Sequence, residues 1–196
     1  MERYSRVYET VNLDAIRQNM EAMRANLKEG TEMIGVVKAD GYGHGSVPGA
    51  CAIDSYVSGY ATATPEEAVI LRKHGITKPI LILGVSPESS FSQLIEYDLR
   101  PAIFRYESAE RLSELAVQAG KRASIHIALD TGMSRIGYMV TAAAADETAR
   151  ISRLPGIRIE GLFTHFARAD EKDKGATDRQ MELFATFVSM LSERGV

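Results

Sequence analysis

Tryptophan is absent from these 196 residues, and cysteine occurs once, at Cys51. A single thiol excludes a disulfide within the chain and fits a reducing compartment. Cys51 lies in the small-residue run Gly49-Ala50-Cys51-Ala52, which predicts a small buried hydrophobe rather than a reactive group. Histidine is scarce as well. His44, His74, His126 and His165 are scattered without ligand spacing, so no metal site is expected. Surplus positive charge is missing: the net charge of -3 gives no electrostatic footprint for nucleic acid. No apolar run is long enough to span a bilayer. The first residues, MERYSRVYETVNLD, carry no apolar signal core. Together these absences predict a cytoplasmic protein with neither a nucleic-acid nor a membrane partner. What is present is 45% hydrophobic and 25% charged, enough for one sizeable core.

The hydrophobic pattern alternates between short apolar runs and amphipathic helices. A first helix is expected over about Asp14 to Leu27, with Leu13, Ile16, Met20, Met23 and Leu27 on its apolar face. Asn12 is its expected N-cap and Gly30 its stop. Met33 to Val37 reads as a buried strand, followed by a short helix within Val47 to Asp54 and a second strand within Tyr56 to Ala63. Thr64-Pro65-Glu66-Glu67 carries the signals of a helix start: a capping threonine, a proline at the first position and a glutamate able to close a capping box. Further strands are expected at Pro79 to Leu83, Pro101 to Phe104, Ile125 to Leu129 and Ile157 to Phe163. Helices are expected over about Pro87 to Tyr97, Ser108 to Ala119 and Thr141 to Leu154. The last helix is expected to open with a capping box, Thr177 to Gln180, and to bury Phe184, Phe187, Val188 and Leu191. The polar stretch Ala169 to Lys174 reads as a solvated loop.

Six strand-helix units in alternation predict an α/β fold with a parallel sheet. Two architectures compete. A doubly wound open sheet fits the length, whereas a (β/α)₈ barrel needs eight strands and about 250 residues.

Three segments carry chemistry. In Val36-Val37-Lys38-Ala39-Asp40-Gly41-Tyr42-Gly43-His44-Gly45, a lysine sits at the carboxyl end of a buried strand, where parallel α/β folds place their sites. A desolvated lysine amine loses its charge more readily and becomes a usable nucleophile or base. On spacing alone, a surface lysine before a glycine-rich loop fits at least as well. The glycines lack the dinucleotide spacing G-x-G-x-x-G. The second segment is Leu129-Asp130-Thr131-Gly132-Met133-Ser134-Arg135-Ile136-Gly137. The guanidinium of Arg135 can hold an oxyanion or carboxylate with directed donors, or it can form an ordinary surface ion pair. The third is Glu160-Gly161-Leu162-Phe163-Thr164-His165-Phe166-Ala167, with His165 at a strand end.

Read whole, these strings resemble the alanine racemases, enzymes dependent on pyridoxal 5'-phosphate. VVKADGYGHG is similar to their cofactor-attachment segment, LDTGMSRIG to their DTGMxRxG loop, and EGLFTHFA to their EGLxTHFA strand end. The resemblance covers almost all of the chain, but only about the first half of such an enzyme. It implies an incomplete (β/α)₈ TIM-type barrel of about six units, lacking strands seven and eight and a C-terminal β-domain. Residues 1–12 would be an N-terminal strand segment that normally joins that β-domain, and 13–196 the truncated cofactor-binding barrel.

The resemblance also implies roles. Lys38 would form the Schiff base with the cofactor and act as one of two catalytic bases. Tyr42 would contact the cofactor phosphate. Arg135 would face the cofactor's phenolic oxygen and the substrate, the N-H of Met133 would bind the substrate carboxylate, and His165 would stack on the pyridine ring. His44 reads as structural. A second base, a tyrosine, would come from the partner's C-terminal domain in a homodimer. The implied activity is interconversion of L- and D-alanine for cell-wall precursors in the intact protein, with the 196-residue piece inactive alone. A serine or broad-specificity amino-acid racemase would carry the same segments, and a non-catalytic cofactor-binding or regulatory module is the alternative from another class. One departure stands out. Many members have a carbamylated lysine on the fifth strand beside the arginine, where this chain has Ala128.

Overall fold

The computed structural model describes residues 6–196. The chain divides into two compact units, one ending at Ile80 and the other running Leu81–Val196.

The first unit opens with α1 (Leu13–Ala25), capped by Asn12, whose side chain accepts from the N-H groups of Asp14 and Ala15 at 3.0 and 3.1 Å. Of the expected apolar face only Met20 is buried. Met23 and Leu27 instead overhang an apolar groove of about 690 Å³, which Ile34 and Val36 also line. Those two residues belong to β1 (Ile34–Val36), which pairs in parallel with β2 (Gly59–Thr62). A five-residue turn, α2 (Lys38–Tyr42), leads into α3 (Ser46–Ile53) and a 3-10 turn at Asp54–Tyr56. Helix α3 buries Ala50, Ala52 and Ile53 but leaves Cys51 exposed. This corrects the expectation of a buried thiol: the helical phase of a short helix, not the smallness of its neighbours, decides which side chain faces out.

Helix α4 (Pro65–Lys73) follows β2, and its Thr64 cap accepts from the N-H of Glu67. The reciprocal half of the expected capping box does not form. The Glu67 carboxylate accepts from Ala39 N and Ala63 N, both at 2.8 Å. Of the N-terminal segment, residues 1–5 lie outside the described part, and residues 6–12 form no strand.

The second unit is built on parallel pairings. β3 (Ile80–Ile82) pairs with β4 (Arg100–Ile103) at Leu81↔Arg100 and Ile82↔Pro101. β4 pairs with β5 (Ala123–Asp130), which pairs with β7 (Ile157–Thr164) along nearly its whole length. A two-residue strand, β6 (Tyr138–Met139), adds to the end of β5 and is outside the six strands expected. Three helices connect them: α5 (Phe91–Glu96), preceded by a 3-10 turn at Glu88–Ser90, then α6 (Tyr106–Gln118) and α7 (Ala142–Ile151). Ile125, Ile127 and Leu129 on β5 are buried in the core.

From the same strand Ser124 and His126 join an ionic cluster, the Ser124 hydroxyl accepting from Arg158 at 2.8 and 3.0 Å. Arg100 Nε lies 2.9 Å from Glu160 Oε2, Arg158 Nη2 lies 2.9 Å from Glu160 Oε1, and His126 Nε2 lies 3.7 Å from Glu160. Burial pushes the His126 pKa down, outweighing the attraction of Glu160. Burial alone would raise Glu160, but Arg100 above all holds it below the usual carboxylate range.

The last helix, α8 (Gly175–Ser192), starts earlier than expected and has no side-chain cap at Lys174. The expected capping box at Thr177 is absent. The Thr177 hydroxyl is buried without a described partner, and Gln180 is drawn into the interior. Phe187 and Leu191 are buried as expected, whereas Val188 is 43% exposed.

Candidate active site

Lys38 leaves the carboxyl end of β1 and enters a turn that is left-handed. Ala39, Asp40 and Gly41 have φ/ψ near 52/49, 50/46 and 63/35, and Tyr42 has φ 56. For residues with a Cβ this conformation costs roughly 1–2 kcal/mol each, so the turn exists only because contacts hold it. The Gly41 N-H donates to Val37 O at 2.9 Å, and Gly45 N-H to Asp40 O at 2.8 Å. The Asp40 carboxylate accepts from Ser46 N at 2.7 Å, and Glu67 accepts from Ala39 N. His44 Nδ1 lies 3.0 Å from Gly41 O, the structural role expected of it. The turn folds Tyr42 back, so that the half-buried Lys38 has its Nζ 5.8 Å from the tyrosine ring centroid. An amine and an exposed phenol are thereby held together above the strand end.

In the second unit, the loop after β5 wraps round one carboxylate. Asp130 Oδ1 accepts from the N-H groups of Gly132 and Ser134, each at 2.9 Å. The amides of Arg135 and Met133 also face it. Burial alone would raise the Asp130 pKa, but these four donors hold it below the usual range. Gly137 closes the loop at φ +120, where an added Cβ would stand 2.6 Å from the backbone at Asp130 and Leu129. Only glycine fits there. Arg135 projects from this loop and is exposed. Together with Val85, Ser86, Phe104 and Arg105 it borders a cavity of about 280 Å³, and the Ser86 hydroxyl is buried without a described partner. Ala128 is buried on β5 opposite Phe163, and no described carboxylate forms an ion pair with Arg135.

His165 follows the carboxyl end of β7. Gln180, 4% exposed, ties this strand end to the Asp130 loop. Its Nε2 donates to Thr131 Oγ1 and to His165 O, both at 3.0 Å, and its Oε1 accepts from Ala167 N at 2.9 Å. Thr131 and Thr164 share a hydroxyl-hydroxyl bond of 2.8 Å. At the far end of the loop, the Tyr138 hydroxyl donates to Glu147, which also accepts from the Tyr106 N-H.

The structure thus brings Lys38 and Tyr42 together in the first unit, and in the second it ties the backbones of Met133, Arg135 and His165 into one network through Asp130 and Gln180. Sequence reading missed Glu67 and Gln180 as site-supporting residues. Both stood at helix starts and read as capping groups, and nothing local to either signals its distant partners.

Residues 11–196 match the family described as alanine racemase, N-terminal domain. An alanine racemase of Clostridium tetani is 41% identical over 191 residues, covering 97% of this chain and 49% of that protein. Alanine racemase 2 of Caldanaerobacter subterraneus is 43% identical over 187 residues, covering 95% and 48%. Among solved structures, the alanine racemase of Clostridium difficile in complex with cycloserine superposes with a TM-score of 0.93 at 36% identity, covering 95% of this chain and 51% of that one. The Bacillus anthracis alanine racemase with bound L-Ala-P gives 0.87 at 34% identity, covering 94% and 48%. The chain spans about half the length of the curated relatives it matches. The α/β fold, the family match and the share of each chain covered all lead to one statement: this chain belongs to the alanine racemase N-terminal domain family.

Proposed function

We propose that this domain works in a cytoplasmic, pyridoxal-phosphate-dependent alanine racemase that interconverts L- and D-alanine and so supplies D-alanine to the bacterial cell wall. The observation that carries the reading is Lys38, a half-buried lysine at the carboxyl end of β1 that opens a left-handed turn, its amine 5.8 Å from the centroid of the Tyr42 ring. The donor set fits the cofactor. An amine suits its aldehyde, and a phenol with an open glycine turn suits its phosphate. A guanidinium suits its phenolic oxygen, and an imidazole suits the face of its ring.

Racemization removes the α-proton from one face and returns one to the other. The bound cofactor supplies the electron sink that makes this proton acidic. Lys38 would hold the cofactor covalently and exchange a proton on one face. Tyr42 would anchor the phosphate, and Arg135 would hold the phenolic oxygen and orient the substrate with directed donors. The Met133 N-H would take the substrate carboxylate, turning from Asp130 to do so, and His165 would pack on the ring. The second base would be a tyrosine from the partner in a homodimer.

The test is borohydride reduction of the protein loaded with pyridoxal phosphate, followed by peptide mapping. The label is expected on Lys38, and a label on another lysine would overturn the assignment. Substrate profiling of the protein from its complete reading frame separates alanine from serine or broad specificity.

A further inference from the structure

We infer that Glu67 is a positioning residue for Lys38, a clamp that sets the direction in which the lysine leaves β1; this rests on the reading of Lys38 as the attachment lysine. The peptide unit joining Lys38 to Ala39 is planar, so whatever fixes the Ala39 N-H also fixes the Lys38 carbonyl and with it the Lys38 ψ angle. The group that fixes it is Glu67 Oε1, at 2.8 Å. The other oxygen of the same carboxylate takes Ala63 N, also at 2.8 Å, one residue beyond the end of β2. One side chain therefore staples the carboxyl ends of two neighbouring parallel strands.

The hydrogen bonds inside the turn are local, while the Val37 N-H just before Lys38 donates to Ala61 O at 2.9 Å and fixes the chain only on the near side of the lysine. Val37 to Gly41, Asp40 to Gly45 and Asp40 to Ser46 all lie within six residues, and they define its internal shape. The Glu67 bond spans 28 residues and ties that shape to α4. A turn holding Ala39, Asp40 and Tyr42 at positive φ persists only where its surroundings over-determine it. The chemistry of the clamp needs a carboxylate, because both partners are N-H donors and an ionised carboxylate only accepts. A glutamine would turn an NH₂ donor toward one of them. An aspartate, one methylene shorter, cannot span both.

The protein from its complete reading frame is compared as wild type, Glu67→Gln, Glu67→Asp and Thr64→Ala. The last variant removes the α4 cap, a bond to the Glu67 N-H, and leaves the Glu67 carboxylate and both of its N-H partners in place. In the cofactor-free protein, amide hydrogen exchange at Ala39 is expected to quicken at least about tenfold in both Glu67 variants and to hold steady in Thr64→Ala. In the loaded protein, the pH midpoint of the cofactor absorbance is expected to shift in the Glu67 variants alone. Glu67→Asp, which retains the charge, keeps the test open should the glutamine variant fail to fold. Label on Lys38 with exchange and midpoint unchanged overturns this inference alone. Label on another lysine overturns the Lys38 reading, and this inference with it.

Discussion

At Asp130, desolvation by burial favours the neutral acid, yet the backbone N-H groups of Ser134, Gly132, Arg135 and Met133 prevail and the pKa falls. A carboxyl lowered in the folded state contributes stability above its unfolded value near 4, and that contribution disappears as pH falls through the folded value. Asp130→Ala is therefore expected to cost about 1–2 kcal/mol at pH 7. In urea unfolding, the gap between wild type and variant should close progressively as pH drops below about 4. A gap that held constant into acid would mean the carboxylate does not organise the loop. The loop itself stood out in the sequence because the segment is continuous and its residue types are unusual together, and Arg135 was singled out in it, whereas the hold of Asp130 on the loop amides was not. The roles of Glu67 and Gln180 were hidden for the opposite reason. Their partners lie up to 28 and 49 residues away, and sequence spacing reveals only neighbours on one helix or strand.

Among the elements, strands announced themselves by apolar runs, and the six expected ones are present within a few residues of their expected bounds. β6 did not, because two residues at Tyr138–Met139 make no pattern; it exists through pairing with Leu129 and Asp130. The start of α8 was misread because Thr177 and Gln180 have capping spacing, while tertiary bonds outcompete the cap. Gln180 fastens α8 to the ends of β5 and β7, so its loss should be felt in all three elements. Gln180→Leu removes the acceptor of the part-buried Ala167 N-H and one donor from the Thr131 hydroxyl, which keeps Thr164, at roughly 1–3 kcal/mol in all. The expected result is a fall in thermal midpoint with loss of amide protection at 165–167. A variant as stable as wild type would show that water replaces the side chain without cost.

For the molecule as a whole, alternation of strands and helices specified a parallel α/β fold but not which one. Length favoured an open sheet, and only the three motif strings pointed to the racemase barrel, because closure is a property of strand number and no single segment encodes it. The same consideration bears on activity. Exchange of the α-proton with inversion needs a base on each face, and in the proposed mechanism Lys38 would serve only one. The curated relatives are about twice as long as this chain, and the proposed second base belongs to the half not represented here. A positioned general base contributes about 10²–10⁴ in rate. The 196-residue chain, loaded with pyridoxal phosphate, should therefore racemize alanine at least about 10²-fold more slowly than the protein from its complete reading frame. Optical rotation with either pure enantiomer reads this directly. Comparable turnover by the two proteins would mean that a second base lies within these residues, and the two-subunit assignment would have to be abandoned.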